Sequence, residues 1–401
     1  MRSLTLSRFL TIAYFILLSS QSFAANKCAD LFYTRSHNYG QLKSNFINDK
    51  TYKVLVTEQS EIKNQCNLGT CHLHSWASML EHGYEEKTHQ NLKISTHFLS
   101  ARHWLHKSLE VLESNKKEEV SVQLGANVFA SRNAILKSGI IPDEAWTGSR
   151  EFQAAPLSNR VNEYIKNIIA RAKWEQKAAS DQAEKKKINQ FARQKIIDIF
   201  ENMVGKIPTS FEYKGLRYTP QSFQRTFFPD VSKPITQIKV NANRTSKTTL
   251  EASGSTFETI DANIDVVEQT ARRLLDHAQN VYVSYEHNAQ FVDAKTGIMS
   301  IAAFDLPPGA GPLTRKQRAY FGVDGGSHAV QIVGYDFDVK TNKVTKWKMK
   351  NSWGDKSGDN GYYHMHNDYF RAFVRGISFY MDPSLTPQVD RKKDVQLKLE
   401  F

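Results

Sequence analysis

Apolar residues recur at spacings of three and four through most of the chain up to about residue 280, then give way to short, nearly continuous apolar runs. The helical period is clearest over residues 150–206. Val161, Tyr164, Ile165, Ile168, Ile169 and Ala172 form one stripe, and Ile188, Ala192, Ile196, Ile199, Phe200 and Met203 form a second. Gly205 and Pro208 close the stretch. The charged run Glu184-Lys185-Lys186-Lys187 between the stripes reads as a solvated turn joining two long antiparallel helices. Upstream, Tyr52 to Val56 reads as a strand. A helix is predicted from Cys71 to about Glu81, stopped by Gly83. A second helix, capped by Thr96, carries Phe98, Leu99, Trp104, Leu105, Leu109 and Leu112, and a third runs from Asn127 to Lys137 before Ser138-Gly139. Residues 240–256, rich in Asn, Thr, Ser and Lys, read as a loop or linker, and Ile264 to Ala278 as one more helix. Strands are predicted at Val281–Tyr285, Ala329–Gly334, Val344–Lys350, Gly361–Met365 and Gly376–Tyr380. The order, helices first and strands last, predicts an α+β chain without internal repeats.

The extreme N-terminus has a different pattern. Arg2 and Arg8 precede the apolar run Phe9–Leu18, and Ser22-Phe23-Ala24 supplies the small residues of a cleavage site. The run is too short to span a bilayer, which takes about 20 apolar residues. Residues 1–24 are therefore expected to be a signal peptide, and the mature protein to be exported, periplasmic or extracellular, with no stable membrane insertion. The remaining boundaries are set at 25–149 for an N-terminal segment and helical lobe, 150–255 for a helical insertion and linker, 256–382 for a β-rich lobe and 383–401 for a tail.

Composition refines this only slightly. Of 401 residues, 40% are hydrophobic and 23% charged, as in ordinary soluble domains. The net charge of +12 would suit an anionic partner, but no zinc finger, aromatic RNA-binding motif or arginine-rich arm points to nucleic acid, so the charge reads as a solvated basic surface. The three cysteines, Cys28, Cys66 and Cys71, are an odd number for an oxidising compartment. The expectation is a Cys28–Cys66 disulfide that leaves Cys71 free.

Cys71 lies in a segment suited to thiol chemistry, Asn64-Gln65-Cys66-Asn67-Leu68-Gly69-Thr70-Cys71. A thiol nucleophile must become a thiolate, and the first turn of a helix favours that anion. Gly69 permits a tight turn before it. Gln65, six residues upstream, can fold back so that its amide and the Cys71 N–H form an oxyanion site. Far downstream, Gly325-Gly326-Ser327-His328-Ala329-Val330 puts a histidine at the start of a strand, and a second strand delivers Asn351-Ser352-Trp353-Gly354. A cysteine nucleophile needs an imidazole, and the imidazole needs a group that fixes its orientation. Asn351 can accept from the ring without adding charge, and Trp353 can shield that bond from water.

These blocks resemble the three signatures of papain-like cysteine peptidases, with Asn360-Gly361-Tyr362 at that family's spacing. Over residues 60–381 the chain is most similar to the bleomycin hydrolase and bacterial aminopeptidase C branch, through Gly139-Ile140-Ile141-Pro142, Gly205-Lys206-Ile207-Pro208, Thr219-Pro220-Gln221-Ser222-Phe223, Gly297-Ile298-Met299 and Asn367-Asp368-Tyr369-Phe370. The resemblance implies a two-lobed fold, helical and β-barrel-like, with a cleft between the lobes. It implies Cys71, His328, Asn351 and Gln65 as the catalytic set, a peptide or protein substrate, and no metal or organic cofactor. Substrate backbone would lie along Gly125-Ala126, where the family has paired glycines, with Trp353 nearby. His72 stands where the family has Trp, and His74 where it has Phe.

Two other classes of function compete. Cys66, Cys71, His72 and His74 contain zinc-ligating residue types, but their spacing fits no standard site. A non-catalytic peptide-binding or envelope-interaction protein could retain the fold, with His72 beside the thiol as a mark of drift.

Overall fold

The computed structural model describes residues 40–380 except 58, 117, 241–245 and 253–254, together with 382 and 384. The chain divides into two compact units. The described part of the smaller comprises residues 40–46 and 304–311. Leu42 bridges Phe304 there in antiparallel fashion, and the Gly40 N–H donates to the Asp305 carbonyl at 2.7 Å. Everything that follows lies in the larger unit, residues 47–303 and 312–401.

After the short strand β1 (Val54–Leu55) come three helices, α1 (Cys71–Thr88), α2 (Thr96–Glu113) and α3 (Val128–Ser138). Ser95 caps α2 by accepting from the Phe98 N–H, and Asn127 caps α3 by accepting from the Ala130 N–H. Gly139 ends α3 at φ 75°, and a Cβ there would sit 2.3 Å from the Pro220 backbone, so only glycine fits. Helix α1 does not stop at Gly83. It continues for another turn because Tyr84 packs on Phe227 and Phe228, and packing of that kind exceeds the roughly 1 kcal/mol that glycine costs a helix.

The predicted helix pair is present as α4 (Leu157–Ala178) and α5 (Gln182–Ile199), with a π-helical turn at Phe200–Val204. The turn between them lies at residues 179–181, not at the lysine run. Asp181 accepts from the Glu184 N–H and Glu184 accepts from Ser180, which places Lys185, Lys186 and Lys187 inside α5.

Beyond this come the hairpin β2 (Phe211–Tyr213) and β3 (Leu216–Tyr218), helix α6 (Pro220–Phe227) and strand β4 (Ile235–Val240). Residues 240–256, expected as a loop, instead supply β5 (Ser246–Ala252) and the start of β6 (Ser255–Ala262), which pair antiparallel. Threonine is a good strand former, so a polar Thr-rich stretch is compatible with a sheet edge. The chain ends with α7 (Ile264–Asp276), β7 (Val281–Glu286), β8 (Val292–Asp293), β9 (Ile298–Met299), α8 (Arg315–Phe321), β10 (Ser327–Phe337), β11 (Val344–Lys350), β12 (Tyr362–His366), α9 (Asn367–Phe373) and β13 (Val374–Tyr380).

The main sheet runs β5-β6-β4-β13-β7-β10-β11-β12-β9-β8, with β1 also on β10. Its two ends do not pair, so the described strands form an open sheet, and the β-barrel-like lobe expected is not present as a closed barrel. The secondary structure is mixed α+β. Strand β10 lies centrally between β7 and β11, and α1 packs on it. One core joins Trp76, Phe98, Trp104, Ile135 and Ile165 of the helices to Tyr282 and Ala329 of the sheet. No described helix is long and apolar enough to cross a membrane.

Candidate active site

The contact of α1 with β10 brings two distant parts of the sequence together. Cys71 is the first residue of α1, only 9% exposed, and the preceding Thr70 makes no side-chain cap. The first N–H groups of the helix are thus left for another acceptor, as unpaired helix N-termini require. Backbone N–H groups at Ala329, His72 and Cys71 favour a negative sulfur at this position. Ala329 adjoins His328 on β10, the strand on which α1 packs. Ser75, one turn along α1, fastens the same junction by donating to the Ala329 carbonyl at 2.8 Å.

The tautomer of His328 follows from its surroundings. Asn351 Oδ1 accepts from the Ser352 backbone N–H at 2.8 Å, which identifies that amide atom as the oxygen. The same oxygen lies 2.8 Å from His328 Nε2, so Nε2 carries the proton and donates, and Nδ1 keeps the lone pair. Strand pairing of β10 with β11 places the two residues: Gln331 opposes Lys350, and Asn351 follows where β11 ends. Trp353 stacks on the His328 ring at 4.4 Å and 17°. Tyr285 meets that ring edge-on at 5.7 Å, and His287 does so at 6.2 Å. Both neighbours come from β7 and its end. Nothing in the local sequence marked them, because only the pairing of β7 with β10 makes them neighbours.

Gln65 is buried. Its Oε1 accepts from Ser352 Oγ at 2.7 Å and its Nε2 donates to the Leu68 carbonyl at 2.9 Å. One Nε2 proton remains for a developing oxyanion. The segment is held to the Asn351 loop by the Asn64–Trp353 bridge and by the Gln65 N–H, which donates to the Ser352 carbonyl at 2.8 Å. Ser352 therefore orients both Asn351 and Gln65, a role its sequence position did not disclose. Gly125 is exposed, with nothing within 4 Å of where its Cβ would be, and Ala126 is half-buried. A Cβ on Gly69 would lie 3.7 Å from the Gly125 nitrogen, so that backbone passes beside the turn into Cys71.

Cys66 carries an exposed free thiol at φ 51°. Cys28, the disulfide partner expected for it, lies outside the described residues. Among the described residues, no group of three or more His, Cys, Asp or Glu side chains is arranged to hold a metal ion. His72 and His74 are instead occupied by hydrogen bonds, His72 with Leu124 and Ser131 and His74 with Thr70.

Burial pushes the Cys71 thiol up, while the three backbone N–H groups pull it back. Burial likewise brings His328 down to about 4, against the opposing bond to Asn351 and with a small further push from His287. Each group alone therefore resists ionisation at neutral pH.

Residues 24–382 match the model of the Peptidase C1-like family. The chain belongs to that family. Aminopeptidase W of Lactobacillus delbrueckii subsp. lactis is 32% identical over 30% of this chain and 27% of its own length. Cysteine proteinase 1, mitochondrial, of Saccharomyces cerevisiae is 22% identical over 80% of this chain and 74% of its own. The chain spans under a third of the length of the Lactobacillus aminopeptidases that it matches. The crystal structure of PepW from Lactobacillus rhamnosis HN001 superposes with a TM-score of 0.67 at 19% identity, covering 84% of this chain and 83% of that one, and so shares its fold. The papain-like resemblance read from the three sequence blocks is thereby upheld.

Proposed function

We propose that this member of the Peptidase C1-like family is an exported cysteine peptidase that cleaves peptide bonds through a thioacyl intermediate. The observation that carries the reading is His328, its Nε2–H held by Asn351 Oδ1 and its strand packed against the helix that Cys71 begins. His328 Nδ1 takes the thiol proton as the sulfur attacks the carbonyl carbon. A C–S bond forms and the carbonyl π pair moves to oxygen, where the free Gln65 N–H and the Cys71 N–H receive it. Collapse breaks the C–N bond, and the departing amine takes the proton from His328. Water then attacks the thioester with His328 again accepting a proton, the C–S bond breaks, and the proton returns to sulfur.

Gly125-Ala126 supports the substrate backbone in this reading, Trp353 shields the imidazole, and the residues lie along a cleft between a helical and a β-rich lobe. Export follows from the N-terminal pattern and would be tested by locating the mature protein in cell fractions. The decisive assay is digestion of a defined peptide mixture by the reduced protein, beside Cys71→Ala, read by mass spectrometry. Cleavage lost in the variant supports the peptidase. Product ends report whether it trims from the amino terminus, as the relatives' names would have it, or cuts internally. Full cleavage by Cys71→Ala, or none by a folded and reduced wild type, overturns the reading.

A further inference from the structure

His72, where the family has Trp, is not used by the chemistry above, and neither is His103 on α2. Both are buried, their rings meet edge-on at 5.0 Å, and both aim Nε2 at one atom. His72 Nε2 and His103 Nε2 each lie 2.9 Å from the Leu124 carbonyl oxygen. A carbonyl can only accept, so both ring atoms are donors and both lone pairs of that oxygen are filled. His72 Nδ1 is then an acceptor, and the single Ser131 Oγ proton is shared between it, 2.8 Å away, and the Asn127 carbonyl at 2.7 Å. Burial brings His72 down to about 3 and also lowers His103, which keeps the two imidazoles neutral and in these roles.

The geometry points to a two-donor clamp, in which His72 and His103 fix the Leu124–Gly125 peptide so that the Gly125 N–H faces a substrate backbone carbonyl. This rests on the peptidase reading given above. Residues 119–127 contain neither helix nor strand, so no ladder orients their peptide groups. In a trans peptide the C=O and the following N–H point in opposite directions. Drawing the Leu124 C=O inward to the two histidines turns the Gly125 N–H outward, on an exposed residue beside the turn into Cys71. The histidines are positioning residues. They act through Leu124 and touch no reacting atom.

The test uses the full chain with His103→Phe and His72→Met, which remove a donor, and His72→Gln, whose Nε2 can stand where the imidazole Nε2 stood. Three readouts are compared: deuterium uptake over residues 122–127, KM and kcat for a cleaved peptide, and the rate of Cys71 alkylation by iodoacetamide. One lost hydrogen bond predicts faster uptake and KM raised about 2- to 10-fold in His103→Phe and His72→Met. Alkylation and kcat should stay within about twofold, and His72→Gln should resemble wild type. Unchanged uptake and KM in both donor-removing variants overturns the clamp. So does alkylation slowing in step with the rise in KM, because that would mean general damage to the site. Should the wild type cleave no peptide, the peptidase reading fails with it, whereas deuterium uptake still decides whether the two histidines hold this segment.

Discussion

At the scale of single residues, Cys71, His328, Asn351 and Gln65 stand out in the sequence because the proposed chemistry demands each residue type at a set spacing within a short block. The residues that complete the site were not legible in that way. Ser352 orients both Asn351 and Gln65, and Tyr285 and His287 line the imidazole, only because strands far apart in sequence pair. Two predictions belong here. His328 is lowered to about 4 by burial, and its neutral form is the base. The kcat/KM profile should therefore stay flat from pH 7 downward and fall with an acid limb near 4; a limb at the ordinary histidine value of 6.5 would contradict the buried environment. Replacing His328 with Ala should cut kcat by about 10²–10⁴-fold, as loss of a positioned acid–base group does, while leaving KM nearly unchanged in steady-state assays.

At the scale of elements, periodicity located the long helices and the late strands, and it failed where local signals competed with packing. Gly83 reads as a stop but lies within α1, the lysine run reads as a turn but lies within α5, and the polar stretch near 250 reads as a linker but pairs as β5 and β6. Helix α8, not foreseen, leads towards His328 through a buried ion pair. Arg318 Nε lies 2.9 Å from Glu286 Oε2, and Glu286 Oε1 accepts from the Gly325 N–H at 2.9 Å, three residues before His328. Arg318→Met leaves the buried Glu286 carboxylate without its cation and should cost about 3–5 kcal/mol in urea unfolding. Adding Glu286→Met should recover much of that loss. A double variant as unstable as the single one would show that Arg318 acts chiefly through its packing on Phe373.

At the scale of the whole molecule, the buried histidines couple stability to pH. Burial lowers His72 and His74 to about 3 and His328 to about 4. In the unfolded chain they titrate near 6.5, so the unfolded state binds more protons over the interval between. Their contribution is complete above 6.5 and is lost progressively as the pH falls towards 4 and then 3. Thermal melts should show Tm falling over that range, with an uptake of at least about three protons per unfolding event near pH 5, since burial also lowers His106 and other histidines. A Tm independent of pH there would mean the histidines are not held neutral. Sequence alone carried the mixed helix and strand content, the blocks around Cys71, His328 and Asn351, and the kinship they imply. These depend on local propensity and on chemistry confined to a few consecutive residues. The fold was needed to show which nitrogen of His328 keeps its lone pair, what holds Gln65, and why His72 is accommodated beside the thiol. Each of those depends on hydrogen bonds between segments tens to hundreds of residues apart, whose pairing is set by burial of a common core and leaves no local trace in the chain.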